Sequence, residues 1–318
     1  MIKNARLPSE AWFGVTLVLL GSIFSSTKAV IIKLAYVYEI NAVSLLTLRM
    51  IIALPFFLAM GIWSWRRQKV AIRPKDWALL ALVGMLGYYL ASLFDFIGLQ
   101  YITAGLERLI VFAYPTLVVL LGALIWRRSI SARQWVALVL TYCGILLALS
   151  GDVVVPEASL LWKGAFWVFL CALAYALHLL GSEQLIPRMG VMMFSSWAML
   201  AATLGVFVHA SVMADAVQLT GYPPRLYQLA ILLSVITTIL PPYLMSAGIQ
   251  RLGAGNAAIL GSIGPVSTLV LAWWLLEEHL SGVQMIGAAI VLAGVGLVSY
   301  RKRKKVLEKN DLSTKTTF

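Results

Sequence analysis

The sequence predicts an all-α integral membrane protein with ten transmembrane helices, arranged as two five-helix repeats of inverted topology. Three observations support this fold class. The 318 residues are 61% hydrophobic and 12% charged, and their mean hydropathy is +0.90, whereas a soluble domain carries about 25% charged residues. The second half of the chain repeats the first at a constant offset. Equivalent loops of the two repeats carry charges of opposite sign.

Ten apolar runs approach or exceed the roughly 20 residues that a helix needs to cross a bilayer. Backbone polar groups in lipid must bond within their own segment, so each run is expected to be helical. The predicted spans are 12–34, 41–64, 77–97, 102–125, 133–150, 161–181, 191–213, 226–247, 254–276 and 282–300.

The repeat is clearest where residues 98–149 recur as 248–299 without a gap, at an offset of 150 residues. Pro115 then aligns with Pro265. A repeat this long is considered before any local motif, because it determines the architecture. The predicted units are a first repeat at 12–150, a second repeat at 161–300 and a basic tail at 301–318.

The charges of the loops predict how the repeats are oriented. Each repeat holds five spans, an odd number, so the second repeat enters the membrane from the opposite side. Arg127-Arg128 after span 4 accordingly becomes Glu277-Glu278 after span 9. Basic segments tend to stay in the cytoplasm. The basic connections after spans 2 and 4 and the basic tail therefore place both termini in the cytoplasm.

Two stretches carry a resemblance to a known family. They are Ala104-Gly105 through Pro115 in the first repeat, and Gly264-Pro265 through Glu277-Glu278-His279-Leu280 and Gly287 in the second. The second stretch is similar to the Pro…Glu-Arg-Leu…Gly pattern of the EamA-type ten-helix transporters in the drug/metabolite transporter superfamily. His279 stands where the family usually has Arg. In the first repeat Arg127-Arg128 replaces the acidic position.

The resemblance implies a carrier of the bacterial inner membrane, often an exporter of amino acids or related metabolites. It also implies that helices 1–4 and 6–9 surround a central cavity, braced by helices 5 and 10. Family members include facilitators, exchangers and proton-linked carriers, so the resemblance leaves the energy coupling open.

Ionisable residues inside spans are candidates for function, because placing them in the membrane is costly. Five of them fall at similar depth in the outer half of the predicted bundle: Lys28, Arg49, Asp95, Glu107 and Arg108. Three cations and two anions would suit a carboxylate-bearing or zwitterionic substrate. Alternatives remain open: Lys28 could reach the membrane interface. Glu107 and Arg108 are adjacent and point about 100° apart, so only one of them is expected to face the cavity.

The second repeat replaces Glu107 and Arg108 with Ala257 and Ala258, so the inner half of the cavity is expected to be less charged. Its His178 could carry a proton or could be a hydrogen-bonded core histidine. The candidate substrate-binding residues are Lys28, Arg49, Tyr88, Glu107, Arg108, Tyr114, His178, Trp197, Thr238, Tyr243, Asn256 and Ser262.

Prolines inside spans free backbone carbonyls and bend helices. Either a bending gate or a static kink would explain Pro115, Pro241, Pro242 and Pro265. A separate feature, the small residues Gly287, Gly294 and Gly296 of span 10, predicts a face for close helix association. This face leaves homodimer formation open.

These features predict a secondary transporter, an exporter of a small metabolite that works by alternating access. Its expected partners are the lipid bilayer and the small-molecule substrate. Nucleic acid is not an expected partner, because the cations flank apolar runs. The alternatives are a lipid or lipid-precursor flippase and, with less support, a membrane-embedded enzyme. No HExxH, GxSxG or Cys–His motif is present. Cys143 and Cys171 lie in apolar runs without metal spacing, so no enzyme activity, metal or cofactor is expected.

Overall fold

The computed structural model describes residues 8–67, 72–127, 129–150, 158–244, 247, 263–279 and 281–299. Seven helices in these ranges are long and apolar enough to cross a membrane, and three more are shorter and apolar. This confirms the predicted all-helical membrane fold. The helices are α1 Pro8–Tyr36, α2 Ala42–Arg67, α3 Pro74–Gly98, α4 Ala104–Val111 with Tyr114–Trp126, α5 Ala132–Ser150, α6 Ala158–Met189, α7 Val191–Val212, α8 Pro224–Leu244, α9 Ile263–Leu276 and α10 Gly282–Ser299.

Two predicted spans differ from the observed helices. The sixth was expected to end at residue 181, but α6 continues to Met189 and Gly190 alone links it to α7. Gly190 has a φ of 77°, a left-handed conformation that glycine adopts without steric cost. The fourth span is interrupted after Val111, and α4 resumes at Tyr114. The predicted start of span 9 and the basic tail lie outside the described residues.

The packing of the helices follows the two-fold relation between the repeats. Helix α5 packs against α10, and α2 packs against α7. The other extensive contacts come in equivalent pairs: α1 with α9 matches α6 with α4, and α3 with α6 matches α8 with α1. Exchanging each helix for its repeat partner therefore returns the most extensive contacts of the bundle. This is the arrangement expected of two inverted halves.

Helices α5 and α10 approach so closely that their backbones touch. A Cβ atom added to Gly144 would lie 2.8 Å from the carbonyl oxygen of Gly287, and one added to Gly294 would lie 2.6 Å from Thr141 Oγ1. The small-residue face predicted on span 10 thus packs against α5 of the same chain. Gly296 is different, since a Cβ there meets no atom within 4 Å.

The first turn of α4 is held by two groups outside the helix. Thr103 Oγ1 accepts a hydrogen bond from the amide of Leu106 at 3.2 Å. The carboxylate of Glu278, in the loop after α9, accepts from the amides of Ala104 at 2.9 Å and Gly105 at 3.1 Å. A carboxylate is favoured here because the N-terminal amides of a helix have no intrahelical acceptor. The second repeat therefore fixes the position of a first-repeat helix.

A second polar contact lies at the opposite end of the bundle, where α3 begins and α6 ends. The carboxylate of Asp76 accepts from Arg73 Nε at 3.2 Å and from Arg188 Nη1 at 2.6 Å. Arg188 belongs to the second repeat and Asp76 to the first. Polar contacts thus join the two halves at both ends of the helices.

Two π-helical segments interrupt α3 and α8 at nearly equivalent positions. The first is Met85–Leu90 and the second is Leu233–Ile239. With the 150-residue offset, Tyr88 of the first segment is equivalent to Thr238 of the second. π-Helical turns are rare and occur frequently at functional sites. Both segments carry side chains that the sequence placed in the candidate site.

Gly287→Ala should destabilise the protein by about 1–3 kcal/mol, because its new methyl group would press on the α5 backbone. Gly296→Ala is the matched control, since open space surrounds that position. Thermal unfolding in detergent measures both variants. Equal melting temperatures for the two would contradict the close α5–α10 contact.

Glu278→Gln should lower stability by roughly 1–2 kcal/mol, since hydrogen bonds to a charged acceptor are the stronger kind. Glu277→Gln is the control, because the Glu277 side chain is exposed beside it. The same unfolding measurement applies. A Glu277→Gln protein as unstable as Glu278→Gln would show that the capping interaction with α4 is not the cause.

Candidate functional site

The structure brings three of the predicted charged residues into contact. Lys28 Nζ of α1 lies 2.6 Å from Asp95 Oδ2 of α3, and the Asp95 side chain is fully buried. The carboxyl group of Glu107, in α4, lies within hydrogen-bonding reach of the Asp95 carboxyl. We call Lys28, Asp95 and Glu107 the acid–lysine cluster. All three belong to the first repeat.

Glu107 is the least satisfied member of this cluster. It is completely buried, and neither carboxyl oxygen accepts a hydrogen bond from any donor group in the described ranges. The nearby ammonium of Lys28 is already paired with Asp95. The cluster therefore contains two adjacent carboxyl groups and one ammonium group.

Arg49 lies deep between the two repeats. Its Nε donates to Thr238 Oγ1 of α8 at 2.7 Å, and its Nη1 donates to Ser92 Oγ of α3 at 3.2 Å. The guanidinium also lies 5.7 Å from the centre of the Phe96 ring. The residue is 4% exposed, and it makes no ion pair with a carboxylate of the described residues. Arg49 is thus a buried cation whose hydrogen-bond partners are neutral, while the Asp95 carboxylate acts on it from beyond ion-pair distance.

Arg108 lies near the acid–lysine cluster but donates its hydrogen bonds to groups outside it. Its Nε donates to Thr268 Oγ1 of α9 at 3.0 Å, and its Nη2 donates to the backbone oxygen of Ser25 in α1 at 2.9 Å. Glu107 instead faces Asp95. The two adjacent side chains thus diverge, as helical geometry predicts. Arg108 joins α4 to helices of both repeats.

Aromatic rings of α4, α6 and α3 form a column of neighbouring side chains. The ring centres of Tyr114 and Tyr175 are 5.1 Å apart, those of Tyr175 and His178 are 5.9 Å apart, and those of His178 and Tyr88 are 4.7 Å apart. We call these four residues the aromatic column. It connects α4, α6 and α3, and so brings three predicted site residues together.

His178 is fixed within this column. Its Nδ1 lies 2.8 Å from the carbonyl oxygen of Val83 and must donate a proton to it. Gly87 makes room for the ring, since a Cβ there would lie 2.1 Å from His178 Cγ. The contacts match the hydrogen-bonded core histidine that the sequence left open as one alternative.

The remaining predicted residues do not all lie beside the charged groups or the aromatic column. The hydroxyl of Tyr243 lies 3.3 Å from Ser196 Oγ. Trp197 packs with other tryptophans rather than with the charged groups. The centre of its ring is 5.3 Å from that of Trp77 and 5.8 Å from that of Trp65. Trp77 lies next to Asp76, at the end of the bundle where Arg188 meets Asp76. Asn256 and Ser262 are outside the described residues.

The prolines mark helix starts and π-helical turns more than simple bends. Pro115 lies in the first turn of the second part of α4, where proline is well tolerated. Pro241 and Pro242 lie two and three residues after the end of the π-helical segment of α8. Pro265 is the third residue of α9 as described. The interruption of α4 thus lies immediately before its proline.

Several contributing residues were missed by the sequence prediction. They are uncharged groups that hydrogen-bond or stack with the predicted ones: Ser25 through its backbone oxygen, Ser92, Tyr175, Ser196 and Thr268. The available signal was a small hydroxyl or aromatic group in an apolar run, which is typical of helix packing as well. Within the described ranges, no cluster of three His, Cys, Asp or Glu side chains could hold a metal ion.

A separate apolar groove of about 570 Å³ lies between α3 and α7. Leu204, Val208 and Val212 on its rim are exposed on the outside of the bundle. Its polar groups are Tyr89 and His209, whose Oη and Nδ1 atoms are 2.9 Å apart. None of the charged groups between the repeats lines this groove.

Comparison with known proteins supports the assignment of the chain to one protein family. Residues 12–150 and 162–300 each match the EamA-like transporter family. "Uncharacterized transporter YcbK" of Bacillus subtilis is 28% identical over 93% of this chain and 95% of its own length. "Probable amino-acid metabolite efflux pump" of Salmonella typhimurium is 26% identical over 63% of this chain and 70% of its own length. A solved structure with 17% identity has a TM-score of 0.60 and covers 93% of this chain and 97% of that chain, which indicates a shared fold.

Both halves of the sequence match the same family, and the helices pack as two related halves. The chain therefore belongs to the EamA-like transporter family.

Proposed function

We propose that the protein exports a small metabolite, an amino acid or a related polar or amphipathic compound, across the bacterial inner membrane by alternating access. The observation that carries this proposal is Arg49, a buried cation between the two repeats without a carboxylate partner among the described residues. The relative from Salmonella typhimurium, named as a probable amino-acid metabolite efflux pump, supports the substrate class.

The chemistry of Arg49 favours a substrate with a carboxylate. Burying an unpaired charge is costly unless an opposite charge or several hydrogen bonds compensate for it. Guanidinium groups bind carboxylates through paired hydrogen bonds, and Arg49 uses only neutral hydroxyl acceptors in this conformation. A substrate carboxylate would therefore complete the charge balance at this position.

The location of Arg49 also suits alternating access. Its side chain joins α2 and α3 of the first repeat to Thr238 of the second, within the π-helical segment of α8. Substrate sites of inverted-repeat transporters lie near the midplane, between the halves. A substrate that replaces the Thr238 contact would loosen one half from the other. Substrate binding and movement of the halves would then involve the same bonds.

The second candidate is a flippase for a lipid or a lipid precursor. The groove between α3 and α7 favours it, because its apolar walls open toward the outside of the bundle, where lipid chains would lie. The groove lacks the charged groups that a headgroup would need. We therefore place the metabolite first, and lipid scrambling assays distinguish the two candidates.

Purified protein in proteoliposomes should transport labelled amino acids, and Arg49→Ala should slow this flux at least about tenfold, because losing hydrogen bonds to a charged group costs roughly 1.5–3 kcal/mol. Arg49→Lys should also be slow, since one ammonium cannot reproduce the guanidinium fork. Arg225→Ala, at an exposed arginine, is the matched control. No metabolite flux together with rapid lipid scrambling would overturn the proposal.

We further propose that both termini are cytoplasmic, because a topology of ten spans would put the basic connections and the basic tail on the same side. A fluorescent protein fused after Phe318 should fluoresce in bacterial cells, whereas a fused alkaline phosphatase should be inactive. A fusion between α9 and α10 should give the opposite pattern. Active phosphatase at the C-terminus would reverse the proposed orientation.

A further inference from the structure

The carboxyl pair of Asp95 and Glu107 has two acidic groups, and one cation of the described residues contacts it directly. Lys28 contacts Asp95 at 2.6 Å. The guanidinium of Arg108, the next charged group on α4, donates to Ser25 and Thr268 instead. Glu107 is left with a neighbouring carboxyl and no hydrogen-bond donor in the described part of the chain.

Apart from Lys28 and the adjacent Arg108, no cation of the described helices acts on Glu107. Helix α6 contributes the thiol of Cys171, which is also buried near the carboxyl pair. Helix α9 contributes Thr268, whose hydroxyl donates to the backbone oxygen of Ser26. The charged groups that act on Glu107 are thus Asp95, Lys28 and Arg108.

Two carboxyl groups in contact resist ionising together when a single ammonium pairs with them directly and the guanidinium groups of Arg108 and Arg49 are bonded to neutral groups. An ionised carboxylate without donors in a low-dielectric interior is strongly disfavoured. A proton shared by the pair removes the excess charge and supplies the missing donor, since a protonated carboxyl can donate to the ionised one. Ionisable groups of this kind in membrane spans frequently relay protons.

We infer that Glu107, together with Asp95, is a proton-binding site that couples transport to a proton gradient. This inference rests on the proposed function. In the described conformation the pair holds one proton and Asp95 balances Lys28. When the site opens to water, the Glu107 carboxyl ionises and the proton passes to water. A substrate ammonium group, or Lys28 and Arg108 after rearrangement, then neutralises the carboxylate.

The other partly or fully buried carboxylates in the described ranges differ from Glu107 because each of them accepts hydrogen bonds from donor groups. Glu278 accepts hydrogen bonds from two backbone amides at a helix N-terminus. Asp76 accepts from Arg73 and Arg188. Such donors stabilise the ionised form. The second repeat has Met245 and Ala257 at the positions equivalent to Asp95 and Glu107, so the inference gives one proton site per chain.

Infrared spectroscopy of the purified protein in lipid tests the proton site without a substrate. The spectrum at neutral pH should contain the carbonyl band of a protonated carboxyl, and Glu107→Gln should remove it. Glu278→Gln is the matched control and should lose carboxylate absorption only. Glu107→Asp, which retains an acid, should keep a displaced band even if the glutamine variant folds poorly. Absence of the band from the unmodified protein, or its persistence in Glu107→Gln, would overturn the inference.

Flux in proteoliposomes tests the coupling. A proton gradient should drive labelled amino acid uphill, and a lumenal pH dye should record proton movement in the opposite direction. Glu107→Gln should abolish both gradient-driven accumulation and proton movement. If the unmodified protein transports amino acid at a rate and in a direction that do not depend on the proton gradient, the coupling is overturned and the proposed function stays intact. No amino acid flux at all would instead overturn the proposed function, while the infrared result would still decide whether the proton site exists.

Discussion

The arrangement of this protein depends on the cost of placing charge in an interior that is surrounded by lipid. Each ionisable side chain within the spans must find its compensation among neighbouring helices. Lys28 forms an ion pair with Asp95, whereas Arg49 and Arg108 donate hydrogen bonds to hydroxyl and carbonyl groups. These bonds join helices that are distant in sequence, so the charged groups organise the bundle and also form its candidate site.

The two repeats share a backbone plan but differ in chemistry. Helix contacts follow the two-fold relation, and the π-helical segments of α3 and α8 nearly coincide under it. The acid–lysine cluster, in contrast, lies wholly in the first repeat. Symmetry of the backbone permits two related conformations that open to opposite sides. Asymmetry of the charges means that these conformations need not be equal in energy, so binding on the two sides can differ.

The sequence was sufficient for the fold, because hydropathy and an ungapped repeat are properties of long segments. It also singled out the charged residues that the structure brings together, since an ionisable residue in a span is conspicuous. It did not find Ser92 or Thr268, because a lone hydroxyl in an apolar run has no distinguishing pattern. The packing of Trp197 near Trp77 could not be predicted either, because an aromatic residue contributes equally well to an interface or a core. These contacts depend on side-chain direction, which tertiary packing decides.

The bond from Glu278 to the start of α4 has a consequence for the origin of the chain. Proteins built from duplicated halves are often imagined as descending from a single half that assembled with itself. A first half paired with a copy of itself would have Arg128 in its sequence where the second half has Glu278, and a cation is unfavourable at the positive end of a helix. A second half paired with a copy of itself would have the glutamate but lack the acid–lysine cluster. Each half, as it now stands, therefore supplies something that the other lacks.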